Sequence, residues 1–128
     1  MTERRLVDGM NVIGSRPDGW WRDRRGAITR LAEALRGLDE PVCVVFDGRP
    51  WDGAPEDGDG LSVRFAPGGR GAADDEIVRM VEADADPASL RVVTSDGALA
   101  ARVRAAGATV EGAGGFRRRL DRPGSPRP

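Results

Sequence analysis

The sequence has no histidine and no lysine, so each of its 20 basic side chains is an arginine. Without histidine, a Ser-His-Asp or Cys-His catalytic site and a histidine-ligated zinc site are excluded. Without lysine, Walker-type phosphate binding and Schiff-base chemistry are excluded as well. Carboxylates are the main catalytic groups that remain, and they act best with a hard cation such as Mg²⁺ or Mn²⁺.

Cysteine and long apolar runs are also scarce. Cys43 is the single cysteine, so it has no intrachain disulfide partner, and its place in the apolar run 42–46 predicts a small buried side chain. No apolar run approaches the roughly 20 residues that span a bilayer, and the opening MTERRL lacks the apolar region of a signal peptide. We therefore expect a cytoplasmic protein that does not associate with membranes.

The length and composition favour one globular domain. The chain has 128 residues, of which 39% are hydrophobic and 32% are charged. We expect the domain to occupy residues 1–120 and residues 121–128 to form a disordered tail, because DRPGSPRP has nothing apolar to bury. The net charge of −1 means that affinity for nucleic acid would have to come from a local arginine patch.

Strand-like and helix-like patterns alternate along the chain. Five strands are predicted. The first is the apolar run that closes on Asp8-Gly9, and the others are residues 42–46, 61–65, 90–94 and 109–111. The strand at 61–65 is predicted to be a short edge strand. Three helices are predicted. The first starts at Asp23 and runs to about residue 38, the second runs from the Asp74 region to about residue 83, and the third covers residues 98–106. A further short element is predicted at 116–120. Continuous apolar strands are typical of a parallel sheet covered by helices on both faces, so the class is α/β with a mostly parallel sheet.

Three of the predicted strands end at an aspartate, namely Asp8, Asp47 and Asp96. In a parallel α/β sheet, ligands bind off the carboxyl ends of the strands, so these carboxylates should project from one edge. Asp74 and Asp75 open a helix directly after a glycine-rich loop and can close over the same edge. Gathered carboxylates repel one another, and a divalent cation relieves that cost while creating a hydrolytic centre.

Polar neutral residues accompany these acids. Asn11 follows Asp8 by three residues, in what we expect to be a turn, and can orient a phosphate or a water molecule. Thr94 and Ser95 supply hydroxyl groups at the same edge. A plainer interpretation remains open: Asp-Gly is a common turn dipeptide, and Asp74 or Asp75 can simply be a favourable charge at a helix N-terminus.

Taken in order, the segments VDGMN, VVFDG, GGRGAADDEI and VVTSD resemble the NYN domain, specifically its YacP-like branch of the PIN-like nucleases. The resemblance covers residues 6–120. It implies a PIN-like three-layer α/β/α sandwich, dependence on Mg²⁺ or Mn²⁺, and cleavage of RNA. It also implies metal-binding roles for Asp8, Asp47, Asp74 and Asp96, with Asn11 as a further active-site residue. Asp74, not Asp75, matches the acid of the family motif.

Arginine and tryptophan side chains near that edge are candidates for contacts with RNA. The candidate RNA-binding residues are Arg22, Arg24, Arg25, Arg49, Arg70 and Ser95. Arginine pairs bidentately with phosphate, and tryptophan stacks on unpaired bases, which makes Trp20, Trp21 and Trp51 candidates for stacking. The plainer alternative is that a tryptophan caps the core and the arginines solvate helix faces. Residues 117–119, all arginine, are expected to be solvated surface, with a patch that contacts the RNA backbone as the alternative.

Three other functions compete with a metal-dependent ribonuclease. The first is an RNA-binding module of the same fold without turnover. The second is a phosphotransfer or phosphatase domain, although such domains normally place a lysine near the phosphate. The third is a DNA nuclease related to flap endonucleases. The oligomeric state is left open between monomer and homodimer.

Overall fold

The computed structural model describes residues 3–121, which form a five-stranded sheet flanked by helices. The strands are β1 (Arg4–Asp8), β2 (Val42–Asp47), β3 (Leu61–Ala66), β4 (Leu90–Val93) and β5 (Thr109–Glu111). The helices are α1 (Gly9–Gly14), α2 (Arg24–Leu35), α3 (Ala72–Ala83), α4 (Gly97–Ala105) and α5 (Ala113–Asp121). Short 3₁₀ turns occur at Trp20–Arg22 and Pro87–Ser89.

All strand pairs are parallel, and the order across the sheet is β3-β2-β1-β4-β5. The chain therefore builds the sheet outward from β1 to β3, then returns across it to place β4 on the other side of β1. This reversal of strand order lies between β1 and β4, and ligands bind at such a switch point, beyond the carboxyl ends of the strands. Asp8 ends one of these two strands, and residues 94–96 follow the other.

Two apolar cores lie on opposite faces of the sheet. Residues from α1, α2 and α5 pack on one face with Val7 and Val44, and residues from α3 and α4 pack on the other with Leu6 and Val45. Successive side chains of a strand point to opposite faces, so β1 and β2 supply both cores. The predicted three-layer α/β arrangement with a parallel sheet is confirmed, and β3 lies at an edge of the sheet as expected.

Several predicted boundaries were wrong. The residues after Asp8 form helix α1 instead of a turn, α2 ends at Leu35 instead of near residue 38, and the short element at 116–120 is the longer helix α5. Asp121, assigned to the tail, is the last residue of α5. The rest of the predicted disordered tail, residues 122–128, lies outside the described residues.

At the start of helix α1, Gly9 lets the chain pass directly over a phenylalanine ring. A Cβ atom at Gly9 would lie 2.4 Å from Cδ1 and 2.5 Å from Cε1 of Phe46. Phe46 is fully buried and packs on Phe65 with 5.6 Å between ring centroids, so it has no room to move. Gly9 is thus required by close packing.

We expect Gly9→Ala to lower the free energy of unfolding by about 1–3 kcal/mol, the usual cost of overpacking a core. Gly14, at the other end of the same helix, is the matched control because nothing lies within 4 Å of its added Cβ. Gly14→Ala should leave stability unchanged or raise it slightly, since alanine favours helix. Urea denaturation of both variants tests this, and equal stabilities would contradict it.

The irregular segment 49–60 lies along the free edge of β3. The Asp57 carboxylate accepts a hydrogen bond from the backbone N–H of Val63 at 2.7 Å, and the Arg36 guanidinium donates to the carbonyl oxygens of Gly58 and Glu56. These contacts satisfy part of an edge that would otherwise be open to pairing.

Within residues 3–121, none of the helices is long and apolar enough to cross a membrane.

Candidate active site

Asp8 and Asp47 face the same side of the sheet. Asp8 lies two residues after Leu6 in β1, and Asp47 lies two residues after Val45 in β2, so each shares the face of a residue that packs against α3 and α4. Asp8 pairs in register with Val45. Asp47 therefore lies roughly 7 Å farther along the strand direction, at the carboxyl edge.

Asp8 is a buried carboxylate, with 5% of its surface exposed. Its Oδ2 accepts a hydrogen bond from the Thr94 hydroxyl at 2.9 Å. The pKa of Asp8 is raised to about 6, chiefly by burial and in smaller part by the nearby charges of Asp74 and Asp47, while the hydrogen bonds from Thr94 and from the Asn11 backbone act in the opposite direction. At pH 7 this side chain is an ionised carboxylate held away from water beside other negative charges.

Asp47 fixes the start of α3. Its Oδ1 accepts a hydrogen bond from the backbone N–H of Ala73 at 3.0 Å, so a side chain at the end of β2 caps the N-terminus of α3. Asp74 is the next residue and is brought beside Asp47 by this contact. Burial, followed by the charges of Asp96 and Asp47, raises the pKa of Asp74.

Asp96 occupies the corresponding position at the start of α4. Its Oδ1 accepts the N–H of Leu99 at 3.0 Å, so the side chain is the N-cap of that helix. Its own N–H donates to the Thr94 hydroxyl oxygen at 3.1 Å, and that hydroxyl in turn donates to Asp8. The N-terminal ends of α3 and α4 both point at this edge, where the helix dipoles favour negative charge.

Asn11 is also at this edge, although it lies in α1 and not in the expected turn. Its Oδ1 accepts the N–H of Ser95 at 2.7 Å, which leaves the amide NH₂ as the group available to a ligand. The Ser95 hydroxyl accepts the N–H of Ala113 at 2.9 Å. Ser95 thus joins α1 and α5 to the end of β4, in addition to any contact with RNA.

The four carboxylates have no arginine partner within 4 Å among the described residues, although the chain is rich in arginine. The ion pairs lie elsewhere, as between Arg4 and Asp84 at 2.9 Å or Arg102 and Asp75 at 3.1 Å. Asp8, Asp47 and Asp96 each use one oxygen in a hydrogen bond described above, and the backbone N–H of Asn11 also contributes a hydrogen bond to the Asp8 carboxylate. Within residues 3–121, no group of three or more aspartate, glutamate or cysteine side chains is arranged so that it could hold a metal ion as it stands.

Asp75 differs from its neighbour Asp74. Its side chain is 75% exposed and pairs with Arg102 on the surface between α3 and α4. The two acids are adjacent in the chain, but they point to different surroundings because successive helical residues are rotated by about 100°. Asp74 is the one that faces Asp47 and Asp96.

The five candidate arginines lie just before or within the first turn of α2 (Arg22, Arg24 and Arg25), directly after β2 (Arg49) and in the loop before α3 (Arg70). Arg24 is half-buried and donates to the backbone carbonyl of Asp47, so it ties α2 to the end of β2. Arg22 lies over the Trp21 ring at 5.9 Å and Arg25 over the Trp51 ring at 5.2 Å. Arg49 and Arg70 are exposed. Across residues 3–121, none of these five pairs with a carboxylate within 4 Å.

The three tryptophans are not equivalent. Trp20 and Trp51 are half-buried and pack against the core, and Trp51 contacts the Phe65 ring edge-on at 5.8 Å. Trp21 is 56% exposed and is the one large hydrophobic side chain of the described residues that is exposed. The core-capping interpretation therefore applies to two of them, and Trp21 remains open to a ligand.

One positioning contact was missed by the sequence. Arg117, expected to be solvated, is half-buried and donates to the carbonyl oxygens of Val12 and Ile13 at 3.1 and 2.9 Å. These carbonyls lie near the end of α1, and that of Val12 also accepts from the backbone N–H and the hydroxyl of Ser15. Arg117 thus secures the helix that carries Asn11, and the run of three arginines gave no sign of which one would turn inward.

Comparison with known proteins identifies the family. The model of the YacP-like NYN domain matches residues 5–125, and a search of curated proteins finds no match. A crystal structure of Rae1 (YacP) from Bacillus subtilis is similar, with a TM-score of 0.76 and 22% identity over 94% of this chain and 74% of that one. A mutant of Rae1 has a TM-score of 0.72 and 23% identity over 94% of this chain and 76% of that one. The fold is therefore PIN-like, and the chain belongs to the family of YacP-like NYN domains.

Proposed function

We propose that this domain is a metal-dependent ribonuclease that hydrolyses RNA phosphodiester bonds at the carboxylates Asp8, Asp47, Asp74 and Asp96. The NYN domains are a ribonuclease family, which supports the general activity. The observation that carries the specific site is the gathering of these four acids at the switch point, with the pKa of Asp8 and Asp74 raised and no arginine partner among the described residues.

The side chains present fit Mg²⁺ or Mn²⁺. Both cations prefer oxygen ligands, and Mg²⁺ is usually held by one or two carboxylates with several waters, without a closed protein cage. An open group of carboxylates suits that mode of binding. Burial, together with the charges of the neighbouring carboxylates, raises the pKa of Asp8 and Asp74, and a bound cation would offset the cost of holding these side chains ionised.

Each site residue has a separate task in this proposal. A bound cation would stabilise charge on the phosphodiester and activate the attacking water. Asp8 and Asp74, whose pKa values are raised, would be the principal ligands, and Asp47 and Asp96 would complete the set from their helix-capping positions. Asn11 would donate its amide NH₂ to a phosphate oxygen or to a water, since Ser95 fixes the orientation of its Oδ1.

The test is digestion of an end-labelled, mixed-sequence single-stranded RNA under three conditions: in Mn²⁺, in EDTA, and in EDTA after Mn²⁺ has been added back in excess. We expect cleavage that EDTA stops and Mn²⁺ restores, and weaker or no cleavage of DNA of the same sequence. Binding without cleavage would support the RNA-binding alternative, and equal cleavage of DNA would support the DNA nuclease. Covalent labelling by beryllofluoride would support the phosphotransfer alternative.

Arg49 provides a test of backbone recognition. It is exposed, directly follows Asp47-Gly48 and has no carboxylate partner within residues 3–121, so we assign it to a phosphate. Arg49→Gln should weaken RNA binding in EDTA and lower the slope of log K against log salt by about 0.7, the value for one phosphate contact on a single strand. Fluorescence anisotropy at several salt concentrations measures this.

Arg104 is the matched control for Arg49. It is exposed in the last turn of α4, and α4 starts at the carboxyl edge, so Arg104 lies toward the opposite end of the sheet. Arg104→Gln should leave both the affinity and the salt slope unchanged. The same loss in both variants would show that net charge, and not a contact at Arg49, determines binding.

A further inference from the structure

Trp21 is an exposed aromatic ring held in a defined place. It lies in the 3₁₀ turn Trp20–Arg22, which begins after Gly19 at a φ of 80° and leads into the N-cap Asp23 of α2. Trp20, anchored against the core, contacts Trp21 with ring centroids 6.0 Å apart and planes at 84°. The ring is therefore positioned by its neighbour without being covered by it.

One arginine contacts the Trp21 ring directly, and another is nearby in the chain. The Arg22 guanidinium lies over the ring, 5.9 Å from its centre, and Arg25, in the first turn of α2, lies over the Trp51 ring. Neither arginine pairs with a carboxylate in the described part of the chain. An exposed aromatic ring in contact with the Arg22 guanidinium matches a nucleotide, which offers a base to the ring and a phosphate to the arginine. A protein partner would not in general need both an aromatic ring and a neighbouring guanidinium group.

The distance to the proposed active site is short. Trp21 and Arg24 are three residues apart, so their Cα atoms lie within about 11 Å. The Arg24 guanidinium donates to the Asp47 carbonyl. The Cα atom of Trp21 is thus within roughly 20 Å of the Asp47 carbonyl, and it lies next to α2, on the face of the sheet opposite α3 and α4.

We infer that Trp21 is a stacking site for one unpaired base of the substrate and that the domain therefore takes single-stranded RNA. This inference rests on the proposed function for its substrate. A base in a duplex is stacked on its neighbours and cannot lie on the ring, so duplex RNA lacks this contact. Loss of one base-aromatic stack corresponds to a loss of affinity of roughly 5- to 100-fold.

The test is an abasic scan, measured as binding in EDTA so that turnover plays no part. A set of single-stranded RNA oligonucleotides carries one abasic nucleotide at each successive position from a common end, and an unmodified strand and a duplex are included. The proteins are the wild type, Trp21→Ala, Trp21→Phe and the control Arg104→Gln. Circular dichroism confirms that each variant is folded, as expected from the exposure of Trp21.

For the wild type we expect one or two positions at which removal of the base weakens binding by roughly 5- to 100-fold. Trp21→Ala should bind the intact strand that much more weakly and be insensitive to the same abasic positions. Trp21→Phe should keep part of the effect, and duplex binding should not change in any variant. A flat scan in the wild type, or an unchanged scan in Trp21→Ala, would overturn the inference.

The proposed function fails differently. If the scan gives the expected pattern but no RNA is cleaved in Mn²⁺, the stacking site stands and the nuclease proposal falls. If RNA is cleaved and the scan is flat, the nuclease proposal stands and the role of Trp21 falls. If the wild type binds no RNA at all, both fall.

Discussion

Asp8→Asn is expected to abolish cleavage and, at the same time, to stabilise the metal-free protein at neutral pH. Cleavage should fall by about 100- to 1000-fold, since several kcal/mol of transition-state stabilisation depend on a bound cation and each 1.36 kcal/mol is tenfold in rate. Stability should rise because the substitution removes a buried charge and keeps an oxygen that can accept the Thr94 hydroxyl. The two effects have opposite signs.

The direction of the stability effect follows from the raised pKa. Folding shifts the pKa of Asp8 from 3.8 to about 6. The folded state therefore holds the proton more tightly than the unfolded chain, so the contribution of Asp8 to stability is present below pH 4 and is lost as the pH rises through 6. A pKa shift of about two units lowers the free energy of unfolding of the wild type by up to about 3 kcal/mol at pH 7.5. Asp8→Asn does not titrate at this position and so lacks this loss.

Urea denaturation of the wild type and Asp8→Asn in EDTA measures this, at pH 3.5 and at pH 7.5. The free energies of unfolding should be similar at the lower pH, where the carboxyl is neutral, and Asp8→Asn should be the more stable at the higher pH. Added Mn²⁺ should narrow the gap by stabilising the wild type. Asp8→Asn being the less stable variant at pH 7.5 in EDTA would contradict the account.

Asp74→Asn and Asp75→Asn should have very different effects on cleavage. Asp74 is half-buried near Asp47 and Asp96, whereas Asp75 is exposed and paired with Arg102. We expect Asp74→Asn to reduce cleavage by about 100-fold or more, and Asp75→Asn to change it by less than about threefold. Loss of the exposed ion pair should cost at most about 1 kcal/mol of stability.

The pair forms its own control. Both substitutions remove one negative charge from the first turn of α3, so their effects on net charge and on the helix dipole are alike. Only the position relative to the other carboxylates differs. Initial cleavage rates in saturating Mn²⁺ separate them, and equal rates would show that the acidic residues act through the general field at the helix start.

The strands and their terminal aspartates were predictable from the sequence. Buried parallel strands are continuous apolar runs, and the rule that ligands bind beyond their carboxyl ends then places Asp8, Asp47 and Asp96 together. Helix α1 was not predictable, because Asp8-Gly9 also fits a turn and six residues are too few to show a helical period. Gly9 is there for its closeness to Phe46, which only the fold determines.

Contacts between distant segments were also beyond the sequence. Asp47 caps a helix 26 residues away, and Arg117 binds carbonyl groups more than 100 residues away. Neither side chain carries a local signal of its partner, since aspartate and arginine at such positions are ordinarily solvated. The choice between Asp74 and Asp75 likewise depends on where α3 begins and how it is turned against the sheet.

Binding of Mn²⁺ tests most directly that these carboxylates form a divalent-cation site, because it needs no knowledge of the RNA. Electron paramagnetic resonance of free Mn²⁺ gives the affinity of the wild type, Asp8→Asn and Asp39→Asn at pH 7.5. Asp39 is exposed and lies before β2, away from the carboxyl edge. We predict that the wild type and Asp39→Asn bind Mn²⁺ alike and that Asp8→Asn binds at least about tenfold more weakly. Equal binding by all three proteins would contradict the account.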